Sequence, residues 1–284
     1  MLKKGLLVFS MMALLMGFTP AKADARGTVT LTYVEWDCAV ASTYVAQAIL
    51  QEKLGYNVEV LPVGAAAMWQ AIATGDADGM VTAWLPVTHA GYYEQLQGRV
   101  DNLGPLAHGA KIGLVVPDYV TISSIEEMNA NADKFRGRIV GIDPGAGIMS
   151  RTEEAIVEYN LGNIELVEGS GATMAAALRD AIQNEEWVAV TGWSPHWKFG
   201  RWSLKYLDDP KGVYGDEEYI GTIVRQGLKD DMPEVYAFLD NFYWTQEQMA
   251  TVMVMNQERG ADPYQSAMTF INDNPDLVNK WLGR

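Results

Sequence analysis

The chain has one cysteine, Cys38, only three histidines, and 21 basic side chains against 36 acidic ones. A lone cysteine forms no internal disulfide, so stability has to come from a hydrophobic core. The histidines, at 89, 108 and 196, are too far apart to show zinc-ligand spacing, and no second cysteine completes a set. The deficit of basic side chains argues against nucleic acid and against anionic lipid, both of which reward positive surface. Low-complexity segments are also missing. The apolar run from Gly5 to Phe18 is shorter than the roughly 20 residues a membrane-spanning helix needs, and no later stretch approaches that length. What is present is the material of an ordinary globular protein, 49% hydrophobic and 20% charged, enough for one large domain or two modest ones.

The first residues have the pattern of a secretion signal. Lys3 and Lys4 precede the apolar run, and Pro20 and the small-x-small site Ala21-Lys22-Ala23 follow it. A cleaved signal is therefore expected over 1–23, with a soluble mature chain starting at Asp24 in a bacterial periplasm. Its removal takes away three lysines and no acid, which leaves the remainder more acidic still.

One phrase occurs twice. Val81-Thr82-Ala83-Trp84-Leu85-Pro86 is echoed by Val190-Thr191-Gly192-Trp193-Ser194-Pro195 at an offset of 109 residues. Upstream, Asn57-Val58-Glu59-Val60 matches Asn163-Ile164-Glu165-Leu166 at an offset of 106, and Asp37 matches Asp143 and Met68 matches Met174 at that same offset. Several matches in register indicate two copies of one supersecondary plan, with a ligand held between them.

The local patterns agree. Strands are expected at Thr28–Val34, Asn57–Pro62 and Gly79–Trp84, with helices over Ala41–Leu54 and Ala66–Ala73 between them. The second copy reads strand Arg138–Ile142, helix Gly147–Tyr159, strand Asn163–Val167, helix Ala172–Ile182 and strand Trp187–Thr191. A short strand at Lys111–Pro117 is the expected crossing between two lobes, and Ile220–Gly227 the expected return. Helices are expected at Pro233–Phe242, Thr245–Met255 and Pro263–Trp281. The predicted fold is α/β and two-lobed, each lobe a mostly parallel sheet flanked by helices, with the ligand in the cleft at the carboxyl ends of the strands. Lobe one is expected to comprise 28–113 plus 226–284, and lobe two 114–225.

Trp36, Trp84 and Trp193 each stand where a strand should end at the cleft. A single tryptophan is more often a core or rim residue, and Trp69, Trp187, Trp202, Trp244 and Trp281 are assigned there. The other three have matched positions in two similar units. Three aromatic faces around a point favour a cation that needs no hydrogen bond, such as a quaternary ammonium, at about 2 kcal/mol per desolvated face. An ordinary ammonium would lose its hydration there and gain no acceptor. The segment Asp143-Pro144-Gly145-Ala146-Gly147-Ile148 runs from a strand into a helix and offers an anion seat, although its glycine spacing is wrong for a dinucleotide site. A tight turn that merely needs glycine would explain it equally well. His89 is placed to donate to the same anion, while His108 and His196 have weaker claims.

These residues resemble the glycine betaine binding proteins that serve ABC-type osmoprotectant importers. The resemblance covers nearly the whole chain beyond the signal. It is carried by Val34-Glu35-Trp36-Asp37, Ala83-Trp84-Leu85-Pro86-Val87-Thr88-His89, Gly141-Ile142-Asp143-Pro144-Gly145-Ala146-Gly147-Ile148-Met149, Thr191-Gly192-Trp193-Ser194-Pro195-His196-Trp197 and Tyr206-Leu207-Asp208-Asp209-Pro210. It implies a type II-like periplasmic binding protein with Trp36, Trp84 and Trp193 as a prism around the trimethylammonium group. It also implies the amides of Gly147 and Ile148 and the side chain of His89 as the carboxylate seat. The implied partners are the small zwitterion and the permease subunits of an ABC transporter, with no cofactor and no metal. Cys38 departs from the family pattern, in which serine is expected.

Other ligands fit the same box: dimethylsulfoniopropionate, proline betaine, carnitine or choline. Choline lacks a carboxylate and would leave the anion seat unpaired. From another class, a hydrolase could use Cys38 with His89 and Asp37, but nothing in the sequence places a base and an oxyanion hole around that thiol. A sensor partner for a membrane receptor would share the binding step.

Overall fold

The computed structural model describes residues 26–284, so the expected signal over 1–23 lies outside the described residues. The first unit is β1 (Thr28–Tyr33), α1 (Asp37–Glu52), β2 (Asn57–Pro62), α2 (Ala65–Thr74) and β3 (Gly79–Leu85). After α3 (Ala90–Leu96) comes β4 (Val100–Pro117), and then two 3-10 turns at Ile125–Glu127 and Asn129–Phe135. The second unit is β5 (Arg138–Val140), α4 (Gly147–Glu158), β6 (Glu165–Val167), α5 (Gly171–Gln183) and β7 (Ala189–Ser194). Next are α6 (Lys198–Arg201), β8 (Leu204–Tyr206) and β9 (Glu218–Arg225). Five helices close the chain: α7 (Leu228–Asp231), α8 (Pro233–Asn241), α9 (Gln246–Asn256), α10 (Pro263–Asp273) and α11 (Pro275–Trp281).

The strands run in the order β2-β1-β3-β9-β4-β7-β5-β6, with β8 pairing to β4. Each unit contributes a parallel array, β2-β1-β3 in one and β6-β5-β7 in the other, flanked by helices. The repeated phrase therefore marks a repeated topology. Met68 and Met174 sit at the fourth position of α2 and α5, both fully buried. The peptides Leu85-Pro86 and Ser194-Pro195, at matched positions, are both cis.

Two antiparallel strands join the arrays. β9 pairs with β3 on one side and β4 on the other, while β4 continues past Ala110 to pair with β7 over Lys111–Val115. The crossing strand expected at Lys111–Pro117 is thus the far end of an 18-residue strand. Its first part carries Gly104, Pro105 and Gly109 and three register shifts against β9, which hides it from periodicity. The expected return, Ile220–Gly227, is β9, and all of it from Glu218 onward lies in the first sheet.

Local chemistry sets the helix ends. α2 stops at Gly75, whose φ of 80° lets its amide reach the carbonyls of Ala71 and Ile72. Ser170 and Thr245 each close a reciprocal capping box, over α5 and α9 respectively. The single helix expected over Pro263–Trp281 is two, because Pro275 lacks the N–H that would continue it and restrains Asn274. Trp69, Trp244 and Trp281 fill the core of the first lobe, where Trp244 meets the Phe270 and Trp281 rings edge-on. Among the described residues no helix is long and apolar enough to cross a membrane.

Candidate ligand-binding site

Trp36 is the N-cap of α1, Trp84 lies near the end of β3, Trp193 near the end of β7, and Gly147 and Ile148 open α4. His89 is the N-cap of α3. All six residues expected at the site line one cavity. Cys38, Thr88, Ile112, Ile142 and Ala146 complete its wall. Each of the three indoles is at least nine-tenths buried, so the cavity lies in the closed seam between the two parallel arrays.

His89 has a single tautomer open to it. The Trp84 amide donates to its Nδ1 at 3.1 Å, so the proton sits on Nε2, and that nitrogen is buried with no partner among the described residues. Burial lowers its pKa to about 3, which leaves a neutral imidazole with one free donor. Trp69 holds the ring edge-on at 6.0 Å between centroids. The turn that carries His89 is itself pinned: buried Glu218, the first residue of β9, accepts from the amides of Val87 and Thr88 at 2.8 Å each and from the Thr88 hydroxyl.

Across the cavity, no side chain caps α4 at Ala146, and no acidic residue occupies its first turn. The amides of Gly147 and Ile148 take no acceptor from the described residues. An uncapped helix N-terminus of three turns presents partial positive charge and free donors, a seat for a carboxylate.

The two matched acids tie the arrays together. Trp36 Nε1 donates to Asp143 Oδ1 at 3.0 Å, and Trp197 Nε1 donates to Asp37 Oδ1 at 2.9 Å, so each carboxylate accepts from a tryptophan of the opposite unit. Burial alone would raise the Asp37 pKa, yet His196, Trp197 and Lys198 hold it below the usual carboxylate range. His196 Nε2 stands 3.3 Å from Asp37 Oδ2, off the axis of an aligned hydrogen bond. The Tyr92 hydroxyl adds a bond to the Gly145 carbonyl at 2.9 Å.

Sequence reasoning gave Trp197 and Lys198 no role. The match of Asp37 with Asp143 was visible, but their partners lie 160 and 107 residues away along the chain. Cys38 proves to be part of the cavity wall. Its thiol is buried, and burial together with Asp37 pushes its pKa up to about 12, so it stays protonated.

Residues 27–273 match the family model described as the substrate binding domain of ABC-type glycine betaine transport system. The chain is 50% identical over 163 residues to the glycine betaine/carnitine transport binding protein GbuC of Listeria monocytogenes, a match over 57% of this chain and 54%, about half, of that protein. The fold superposes on lactococcal OpuAC in its closed form complexed with glycine betaine with a TM-score of 0.85. That pair is 43% identical over 90% of this chain and 99% of the other. The glycine/betaine/L-proline-binding protein ProX of Borrelia burgdorferi superposes with a TM-score of 0.87 at 38% identity, covering 89% of this chain and 96% of the other. With a family match spanning nearly all of the described residues, the chain belongs to the substrate-binding domain family of ABC-type glycine betaine transport systems.

Proposed function

We propose that this chain captures glycine betaine, or a closely similar quaternary ammonium carboxylate, between its lobes and delivers it to the permease of an ABC importer. The observation that carries the reading is His89 Nε2, a buried donor with a fixed tautomer and no partner, on the wall of a cavity otherwise lined by three indoles and an uncapped helix end. A zwitterion with a non-donating cation answers both halves: the indoles take the cation, and His89 with the Gly147 and Ile148 amides takes the carboxylate. In this reading the lobe bounds, expected at 28–113 with 226–284 and at 114–225, move to 26–110 with 218–284 and to 111–217, because β9 pairs in the first sheet and β4 passes to the second array after Ala110. Ligand that bridges them favours the closed form, which a membrane partner recognises. The place of action is the periplasm. Catalysis by Cys38 has no support, since a protonated, buried thiol is not a nucleophile.

The test is calorimetric titration of the purified protein with glycine betaine beside dimethylsulfoniopropionate, choline and glycine. Micromolar betaine binding with none for glycine is expected, and silence with all four from folded, ligand-free protein would refute the reading. His89→Ala should cost glycine betaine about tenfold or more, the loss of a hydrogen bond to a charged group, and should leave choline binding unchanged or improved. An equal loss for choline would make His89 a purely structural residue.

A further inference from the structure

A buried amine stands against the Trp193 indole. Lys198, the first residue of α6, is fully buried, and its Nζ lies 4.4 Å from the centroid of the Trp193 ring and 5.6 Å from that of Phe199. Among the described residues no hydrogen-bond acceptor meets that nitrogen. Trp193 lines the cavity and Lys198 does not, so the amine meets the site by way of the ring it packs against. Burying an ammonium without an acceptor is costly, and neither the helix nor the core requires a charge here. An indole has one π system shared by two faces, and a positive charge against one face weakens the attraction the other can offer.

We propose that Lys198 sets the affinity of the cation site through Trp193: as a neutral amine it leaves the ring free for the trimethylammonium group, and as an ammonium it opposes that group, so capture strengthens as pH rises. The proposal rests on the betaine reading above and adds to it a residue that does not touch the ligand.

The groups that face the amine narrow the source of such a dependence. Asp37 and Cys38 approach from α1, and His196 from the turn between β7 and α6. Asp37 is held below the usual carboxylate range, Cys38 is pushed up to about 12, and burial and Lys198 bring His196 down to about 4. None of these three changes charge near neutrality. Burial lowers Lys198 itself to about 7, against the pull of the Asp37 carboxylate. A ligand cation across the ring lowers it further, so the complex holds fewer protons than the free protein. Affinity then rises with pH between the bound and free midpoints of Lys198 and is level on either side.

The experiment measures the glycine betaine Kd of the full chain at about pH 6, 7 and 8.5, for the wild type and for Lys198→Met. The wild type should tighten at least about fivefold across the series, while Lys198→Met should bind with one affinity throughout. Lys198→Gln serves the same comparison should methionine at this position not fold. A level wild-type profile, or a variant that keeps the wild-type slope, overturns the proposal. A second arm needs no ligand: in protein labelled at lysine 13Cε, the resonance missing from the variant should titrate about two units or more below the other lysines. If it titrates with the rest, the neutral amine is wrong. Absence of betaine binding at every pH in every protein strikes the betaine reading instead, and the lysine titration still decides the state of the amine.

Discussion

Gly147→Ala is expected to lower affinity for glycine betaine at least about a hundredfold, or roughly 2.7 kcal/mol, without destabilising the ligand-free protein. A Cβ on Gly147 would lie 1.9 Å from the Thr88 carbonyl oxygen and 2.8 Å from its carbon. Those atoms belong to the opposite lobe. Thr88 has no room to retreat, because Glu218 holds its amide, its hydroxyl and the neighbouring Val87 amide. The lobes would therefore stop short of closure, and a ligand that has to touch both would lose one set of contacts. Nothing in the open form resists the change, since Gly147 does not adopt a positive φ and opens a helix, where alanine is favoured over glycine. Thermal unfolding should then show an unchanged ligand-free midpoint and a much smaller upward shift on adding betaine, with scattering reporting a more open average shape. Wild-type affinity in this variant would mean that the seam is not the bound geometry.

Trp193→Ala should cost more than Trp84→Ala, although both should lose at least about tenfold, or 1.4 kcal/mol. Each removes one aromatic face, worth about 2 kcal/mol where it is desolvated. Only Trp193 also screens a buried amine, so its removal opens a path between Lys198 and the ligand cation. Trp193→Phe keeps a smaller face and the screen, and should fall between wild type and alanine. Calorimetry on the three variants at about pH 6, where the proposal makes Lys198 an ammonium, ranks them. Unchanged affinity in both alanine variants would remove the indoles from the cation site altogether.

Much of this molecule was legible because it is written twice. The phrase around Trp84 and Trp193 marked two strand ends, and the two units indeed form mirrored arrays in the order β2-β1-β3 and β7-β5-β6 read outward to inward and back. The six expected residues line one cavity because each stands at a strand end or helix start, positions that local patterns reveal. What periodicity missed has physical causes. Gly104, Pro105 and Gly109 interrupt the alternation of β4, so its first eleven residues do not read as strand. Pro275 splits a helix whose apolar spacing continues on both sides of the break. The bonds from Trp36 to Asp143 and from Trp197 to Asp37 depend on how the lobes meet, which no window along the chain contains. Lys198 was hidden for a different reason: a lysine reads as solvated surface even between Trp197 and Phe199, and only packing turns it into a buried amine against an aromatic ring.

The position of β9 also governs the order in which the molecule can be assembled. It is an interior strand of the first sheet, with β3 on one side and β4 on the other, yet it is made only after the whole of the second unit. Until Glu218–Arg225 has emerged from the ribosome, β3 and β4 have no strand between them and the first lobe has no continuous sheet. Pairings this distant along the chain form slowly, since the intervening loop must be closed before any contact repays it. The first lobe therefore stays open through most of synthesis and completes itself last, together with the helices that follow. The seam, which needs both arrays joined through β9 and β4, is then among the last features of the molecule that can form.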